Sequence, residues 1–186
     1  MATKRTRPAA ATDTLEPRWL DDRERQTWLA FIFATRLFWE EVERDLQRDA
    51  QLPFGYYEIL VMLSSAPERT LRMSELADAT QSSRSRLSHA VARLEAEGWV
   101  ERQDCPTDRR GALAVLTDKG FAALAAAAPS HVESVRQHLF DQLTRGQQDE
   151  LREICDQLLA HLGPLVSARG DTRPKKLAEA RAATTG

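Results

Sequence analysis

The stretch GWVERQDCPTDRRGALAVLTDKG, Gly98 to Gly120, decides how the rest of the chain is read. Gly98 closes a helical pattern and supplies the residue type that tolerates the left-handed backbone of a helix end. Trp99, Val100, Glu101 and Arg102 then alternate as a strand does, and Pro106, Thr107 and Asp108 supply turn chemistry. Ala112, Ala114 and Leu116 alternate with Leu113 and Val115 on the way back. This pattern predicts a two-stranded β hairpin with Arg109 and Arg110 near its tip, followed by a helix that Thr117 caps.

Immediately upstream, Ser74 is expected to cap a short helix (SELADAT), with a polar break at Gln81 and Ser82. A second helix is expected from about Ser83 to Glu97, with Leu87, Ala90, Val91 and Leu94 on its buried side. Two helices with a tight turn between them make a helix-turn-helix. That burial turns Ser83, Arg84, Ser85, Arg86 and His89 outward from the start of the second helix. Such a helix start suits a major groove: Arg donates bidentately to guanine O6 and N7, while Ser and backbone N–H groups hold phosphate. The hairpin arginines suit the neighbouring minor groove, where a narrow width deepens the negative potential. Between Gln81 and Arg93 there is no acid, and Glu95, Glu97 and Glu101 follow directly. With 26 basic and 28 acidic residues and a formal net charge of −2, any attraction to nucleic acid has to be local.

The flanks read as helices with apolar faces that need burial. Trp28, Phe31, Ile32, Thr35, Phe38, Val42 and Leu46 recur at spacings of three and four over Asp21 to Arg48. Pro53 opens a second helix with Tyr57, Leu60, Val61 and Leu63 on its core face. The segment from Asp118 to Gln142 is helical in composition, but Pro129 is expected to kink or break it. Thr144 and Gln147 form a capping-box pattern before a helix whose Leu151, Ile154, Cys155, Leu158 and Leu162 share a seam, on which Cys155 is expected to be packed. Sparse Gly and Pro favour a mainly α class over a sandwich of short strands.

Other classes are poorly served. The four histidines are scattered, and no P-loop, GxSxG or GxGxxG motif is present, so no enzyme, cofactor or metal site is expected. Cys105 and Cys155 lie far apart with no CxxC pair. No apolar run is long enough for a bilayer and no signal-like segment opens the chain, so a cytoplasmic protein without membrane contact is expected.

The run from Gly98 to Gly120 resembles the wing signature of the MarR family of bacterial transcriptional regulators, which ends in Asp-x-Arg and a Leu-Thr-x-x-Gly element. Here those positions are Asp108, Arg110, Leu116, Thr117 and Gly120. The order of helices and wing resembles that family from about Trp19 to Leu162. The resemblance implies a winged helix-turn-helix with a two-stranded wing, flanked by long N- and C-terminal dimerisation helices. Its parts would be a disordered basic arm at 1–16, N-terminal helices for dimerisation and scaffold at 17–68, a DNA-binding module at 69–117, C-terminal dimerisation helices at 118–164 and a flexible basic tail at 165–186. It further implies a homodimer on a pseudo-palindromic double-stranded operator, joined through Leu151, Ile154, Leu158 and Leu162, with an Asp108–Arg110 salt bridge bracing the wing. A repressor released by a phenolic or other aromatic acid is expected, with Trp28, Phe31, Trp39, Tyr56 and Tyr57 as candidate pocket residues. A redox-sensing branch places its reactive Cys near the start of the first long helix, where this chain has none. A redox response would therefore fall to Cys105, which lies close to Arg102, Arg109 and Arg110. A winged module that binds protein instead of DNA is a further alternative, against which the outward arginines argue.

Overall fold

The structure, a computed structural model, describes residues 17–105 and 111–167. The chain divides into two units, residues 1–36 and 37–186. In the first, helix α1 (Asp22–Ala50) begins. Its start is fixed by a reciprocal cap, in which the Asp21 N–H donates to Glu24 Oε2 (2.9 Å) and the Glu24 N–H donates to Asp21 Oδ1 (2.8 Å). Trp28, Leu29, Phe31 and Phe33 are all exposed on this part of the helix.

The second unit holds the remainder of α1, then α2 (Phe54–Ser64), β1 (Thr70–Arg72), α3 (Met73–Ala79), α4 (Arg84–Ala96), β2 (Val100–Asp104), β3 (Ala112–Leu116), α5 (Asp118–His138) and α6 (Arg145–Ser167). Its core gathers one apolar face from each element. Leu60 and Leu63 of α2, Leu76 of α3, Leu87, Val91 and Leu94 of α4, and Ala114 of β3 are fully buried beside Leu46. Each large side chain stabilises the fold by roughly 1.5–3 kcal/mol through loss of apolar surface to water. Leu124 and Ala127 of α5 close the cluster.

The expected hairpin is present, with Val100 opposite Leu116 and Asp104 opposite Ala112. A third strand that the sequence reading lacked, β1, pairs antiparallel with β3, so the sheet order is β1-β3-β2. β1 runs directly into α3, which explains why α3 begins at Met73 and not at a Ser74 cap. The cap position is Arg72, whose N–H donates to Glu75 Oε2 (3.3 Å). Pro129 does not interrupt α5, which is continuous from Asp118 to His138. Buried Leu124 and Ala127 before the proline and Ser134 after it hold the helix together across the missing N–H. At α6, the Thr144 N–H donates to Gln147 Oε1 (2.9 Å) and the Gln147 N–H donates to Thr144 Oγ1 (3.3 Å), the expected capping box. Within the single chain Cys155 is exposed, on the same outward face of α6 as Leu151, Ile154, Leu158 and Leu162.

Candidate nucleic-acid interface

The turn between α3 and α4 is built by backbone hydrogen bonds. Gln81 adopts the left-handed conformation (φ 54°), its N–H donates to the Asp78 carbonyl (3.3 Å), and the Ser82 N–H donates to the Ala77 carbonyl (3.0 Å). These are the two bonds of a Schellman motif, with Gln where Gly usually stands. Ser83 then caps α4, its Oγ accepting the Arg86 N–H (3.3 Å).

Leu87, Val91 and Leu94 anchor α4 from below, and Ser83, Arg84, Ser85, Arg86 and His89 are all exposed. Arg93 extends the same outward surface by a turn. Among the described residues no acid pairs with Arg84 or Arg86. Two consequences follow for chemistry: the guanidinium donors are open to an incoming acceptor, and the helix start presents no negative charge to repel a phosphate.

At its other end α4 closes with a second Schellman motif. Gly98 (φ 73°) donates to the Glu95 carbonyl (2.9 Å) and Trp99 donates to the Leu94 carbonyl (2.9 Å). Lys119 Nζ caps the Glu97 carbonyl (2.7 Å). Thr117 binds this turn to α5: its N–H donates to the Trp99 carbonyl (3.0 Å), its Oγ1 donates to the Gly98 carbonyl (2.7 Å), and the same Oγ1 accepts the Gly120 N–H (3.0 Å). Leu116, Thr117 and Gly120 therefore tie the hairpin, the end of α4 and the start of α5 together.

Arg102 of β2 reaches across to α4, its Nη2 donating to the Ser88 carbonyl (2.6 Å) and its N–H donating to Glu95 Oε1 (3.1 Å). A cleft of about 440 Å³ lies beside it, with Arg72, Ser74, Arg84, Ser88 and Arg102 on its walls. Arg102, missed as a structural partner by sequence reading, was signalled only by an acid seven residues earlier across a turn. The wing residues Asp108, Arg109 and Arg110 lie outside the described residues.

The remaining candidates are dispersed. Trp28 and Phe31, in the first unit, leave about half of their surface to solvent. In the second unit Trp39 is half exposed and meets Phe54 (ring centroids 5.0 Å apart), Tyr56 is partly buried, and Tyr57 is buried against His131 (4.5 Å). Burial raises the Tyr57 phenol and lowers the His131 imidazole from their ordinary values. Leu151, Ile154, Leu158 and Leu162 are exposed along α6. Cys105 is buried, and its N–H donates to the Gly111 carbonyl (3.0 Å).

A helix-turn-helix with an outward basic start, backed by an antiparallel hairpin, defines a winged helix-turn-helix protein. Comparison with known proteins narrows this class. The model of the MarR family matches residues 50–111. The chain is 52% identical to the MarR family transcriptional regulator Sco3205 of Streptomyces coelicolor, solved in complex with DNA, with 77% of this chain and 89% of that chain covered at a TM-score of 0.73. It is 41% identical to AbsC, a MarR family regulator of the same organism, with 80% and 99% covered at a TM-score of 0.74. The transcriptional repressor MprA of Escherichia coli (strain K12) is 33% identical over 103 residues, which are 55% of this chain and 58% of MprA, so the match spans little more than half of that relative. The chain belongs to the MarR family. Membership places it among transcription regulators. No helix among the described residues is long and apolar enough to cross a membrane.

Proposed function

We propose that the chain is a homodimeric, sequence-specific DNA-binding regulator that represses transcription and leaves its operator when a small aromatic acid binds. The observation that carries DNA reading is the start of α4, where Arg84, Arg86 and His89 project from a helix held in place by Leu87, Val91 and Leu94. Identity to Sco3205, solved with DNA, supports the same reading. In this reading Arg84 and Arg86 address base edges with Ser83, Ser85 and His89 beside them, Arg109 and Arg110 of the wing attract the backbone and minor groove, and Asp108 braces the wing through Arg110.

Dimerisation is supported by α6, where Leu151, Ile154, Leu158 and Leu162 keep between 37% and 55% of their surface exposed at spacings of three and four. A two-fold copy would cover this seam and present two α4 helices to half-sites about one helical turn apart. Repression follows the description of MprA. For release by an aromatic acid, the support is the uncovered aromatic surface of Trp28, Phe31 and Trp39, with Tyr56 and Tyr57 as the phenols of the same candidate set.

The test is a titration of labelled duplex from upstream of the protein's own gene against a scrambled duplex at two salt concentrations. The own-gene duplex is expected to bind at least about 10³-fold more tightly. Equal weak binding to both refutes sequence-specific regulation.

A further inference from the structure

We propose that Arg102 is a positioning residue that locks the wing to the reading helix, so that α4 and the hairpin meet DNA as one rigid surface. The proposal rests on the DNA-reading function above. The short turn from α4 to β2 is fixed at its base by the Schellman bonds of Gly98 and Trp99 and by Thr117, but these ties end at Trp99 and leave the outer part of the strand to be held by other contacts. Beyond buried Val100, the outer part of β2 offers little else to α4, because Glu101, Gln103 and Asp104 are exposed. Arg102 is the exception in that run, half-buried and turned toward the helix.

Its contacts restrain the strand at two heights on α4. Nη2 donates to the Ser88 carbonyl at 2.6 Å. The Arg102 N–H donates to Glu95 Oε1 at 3.1 Å, and Nε lies 2.9 Å from Glu95 Oε2 as an ion pair. Ser88 and Glu95 are seven residues apart, two turns of the same helix face, or about 10 Å along the axis. Two contacts so separated fix an angle as well as a distance. Glu95 also neutralises the guanidinium, so that Arg102 serves geometry while Arg84 and Arg86, which pair with no acid among the described residues, serve the duplex. On the opposite edge of the hairpin, β3 is held by β1, with Leu113 opposite Arg72. The hairpin is thus gripped from both sides, and Arg102 is the grip on the α4 side.

The test compares how much the wing contributes to binding when the clamp is present and when it is absent. Affinity for a labelled duplex is measured for the full-length protein, with and without Arg109→Ala/Arg110→Ala, in the wild-type and Arg102→Met backgrounds. Removing the two wing arginines is expected to weaken wild-type binding roughly tenfold or more, and Arg102→Met binding only about twofold, since a misplaced wing has less to lose. Arg102→Met alone should lower the salt slope by about one, the signature of a lost phosphate contact. Arg102→Lys, which keeps the charge but not the fork, should recover part of the wing's contribution, and Glu95→Gln supplies the same comparison should the Met variant fail to fold. An equal loss in both backgrounds, or no loss in the wild type, overturns the proposal. Because the ratios can be taken on scrambled duplex too, wild-type failure to prefer its own sequence refutes specific regulation without deciding the clamp.

Discussion

Replacing Gly120 by Ala adds one methyl group at the place where three elements meet. A Cβ there would lie 2.1 Å from the Trp99 carbonyl oxygen, 2.8 Å from the Trp99 carbonyl carbon and 2.7 Å from Leu116 Cδ1. The leucine methyl can rotate away, but the Trp99 carbonyl is backbone and is held by the Thr117 N–H at 3.0 Å. The start of α5 must therefore retreat from the end of α4. Overpacking of this kind costs about 1–3 kcal/mol, and loss of the Thr117 hydrogen bond adds about 1 kcal/mol. The better helix propensity of Ala returns about 1 kcal/mol. The net loss is on the order of 2 kcal/mol, a fall of roughly 4–8 °C in Tm for a chain of this size. Thermal melts followed by circular dichroism at fixed protein concentration measure it. Gly146→Ala, in a helix with nothing within 4 Å of the new methyl, is the matched control and should melt at or slightly above the wild type. A Gly120→Ala protein that melts as high as that control refutes the close-approach argument.

Gln81 holds a left-handed backbone in the α3–α4 turn, so Gln81→Gly should stabilise the protein by about 0.5–1 kcal/mol, read as a rise in Tm. Asp45 accepts hydrogen bonds from Ser134 Oγ (2.8 Å), His138 Nε2 (2.9 Å) and Arg48 Nη1 (2.7 Å), and these, Ser134 foremost, hold its carboxyl below the ordinary range against the opposing effect of burial. A depressed folded-state value means that its stabilisation is present above pH ~4 and is lost as pH falls through the folded pKa. Melts between pH 3 and 6 should therefore show a steeper acid decline in the wild type than in Asp45→Asn, and parallel curves would contradict this. Leu158→Glu on the exposed α6 seam should shift the protein from dimer to monomer in light scattering and weaken operator binding; an unchanged dimer would move the interface elsewhere.

What was legible in the sequence was local. The α4 face could be read from Leu87, Val91 and Leu94, and the hairpin from alternation around a turn, because each signal fits within a few residues of itself. Thr117 as a cap and Gly98 at a helix end are likewise local. β1 was not legible: three residues carry no measurable alternation, and their strand state comes only from pairing with β3 more than forty positions away. Asp45 sits between Val42 and Leu46 as an acid in an apolar stripe, but its partners Ser134 and His138 arrive through tertiary packing of α5. Gly120 could be noticed as part of a motif, whereas the reason for it, a carbonyl where a side chain would start, needs coordinates. Pro129 does not break α5, because the local rule against mid-helix proline met burial on both sides of it.

Base reading is assigned to the first turns of α4, where Arg84, Arg86 and His89 are exposed. Its most direct measurement is the affinity of wild type and Arg86→Ala for a panel of operator duplexes, each with one base pair changed. The wild type is expected to lose about 1–3 kcal/mol on changing one guanine in each half-site, and Arg86→Ala to no longer distinguish that position while still discriminating the others. An unchanged profile of base preference in Arg86→Ala, with only a uniform loss of affinity, would contradict it and reduce this arginine to a phosphate contact.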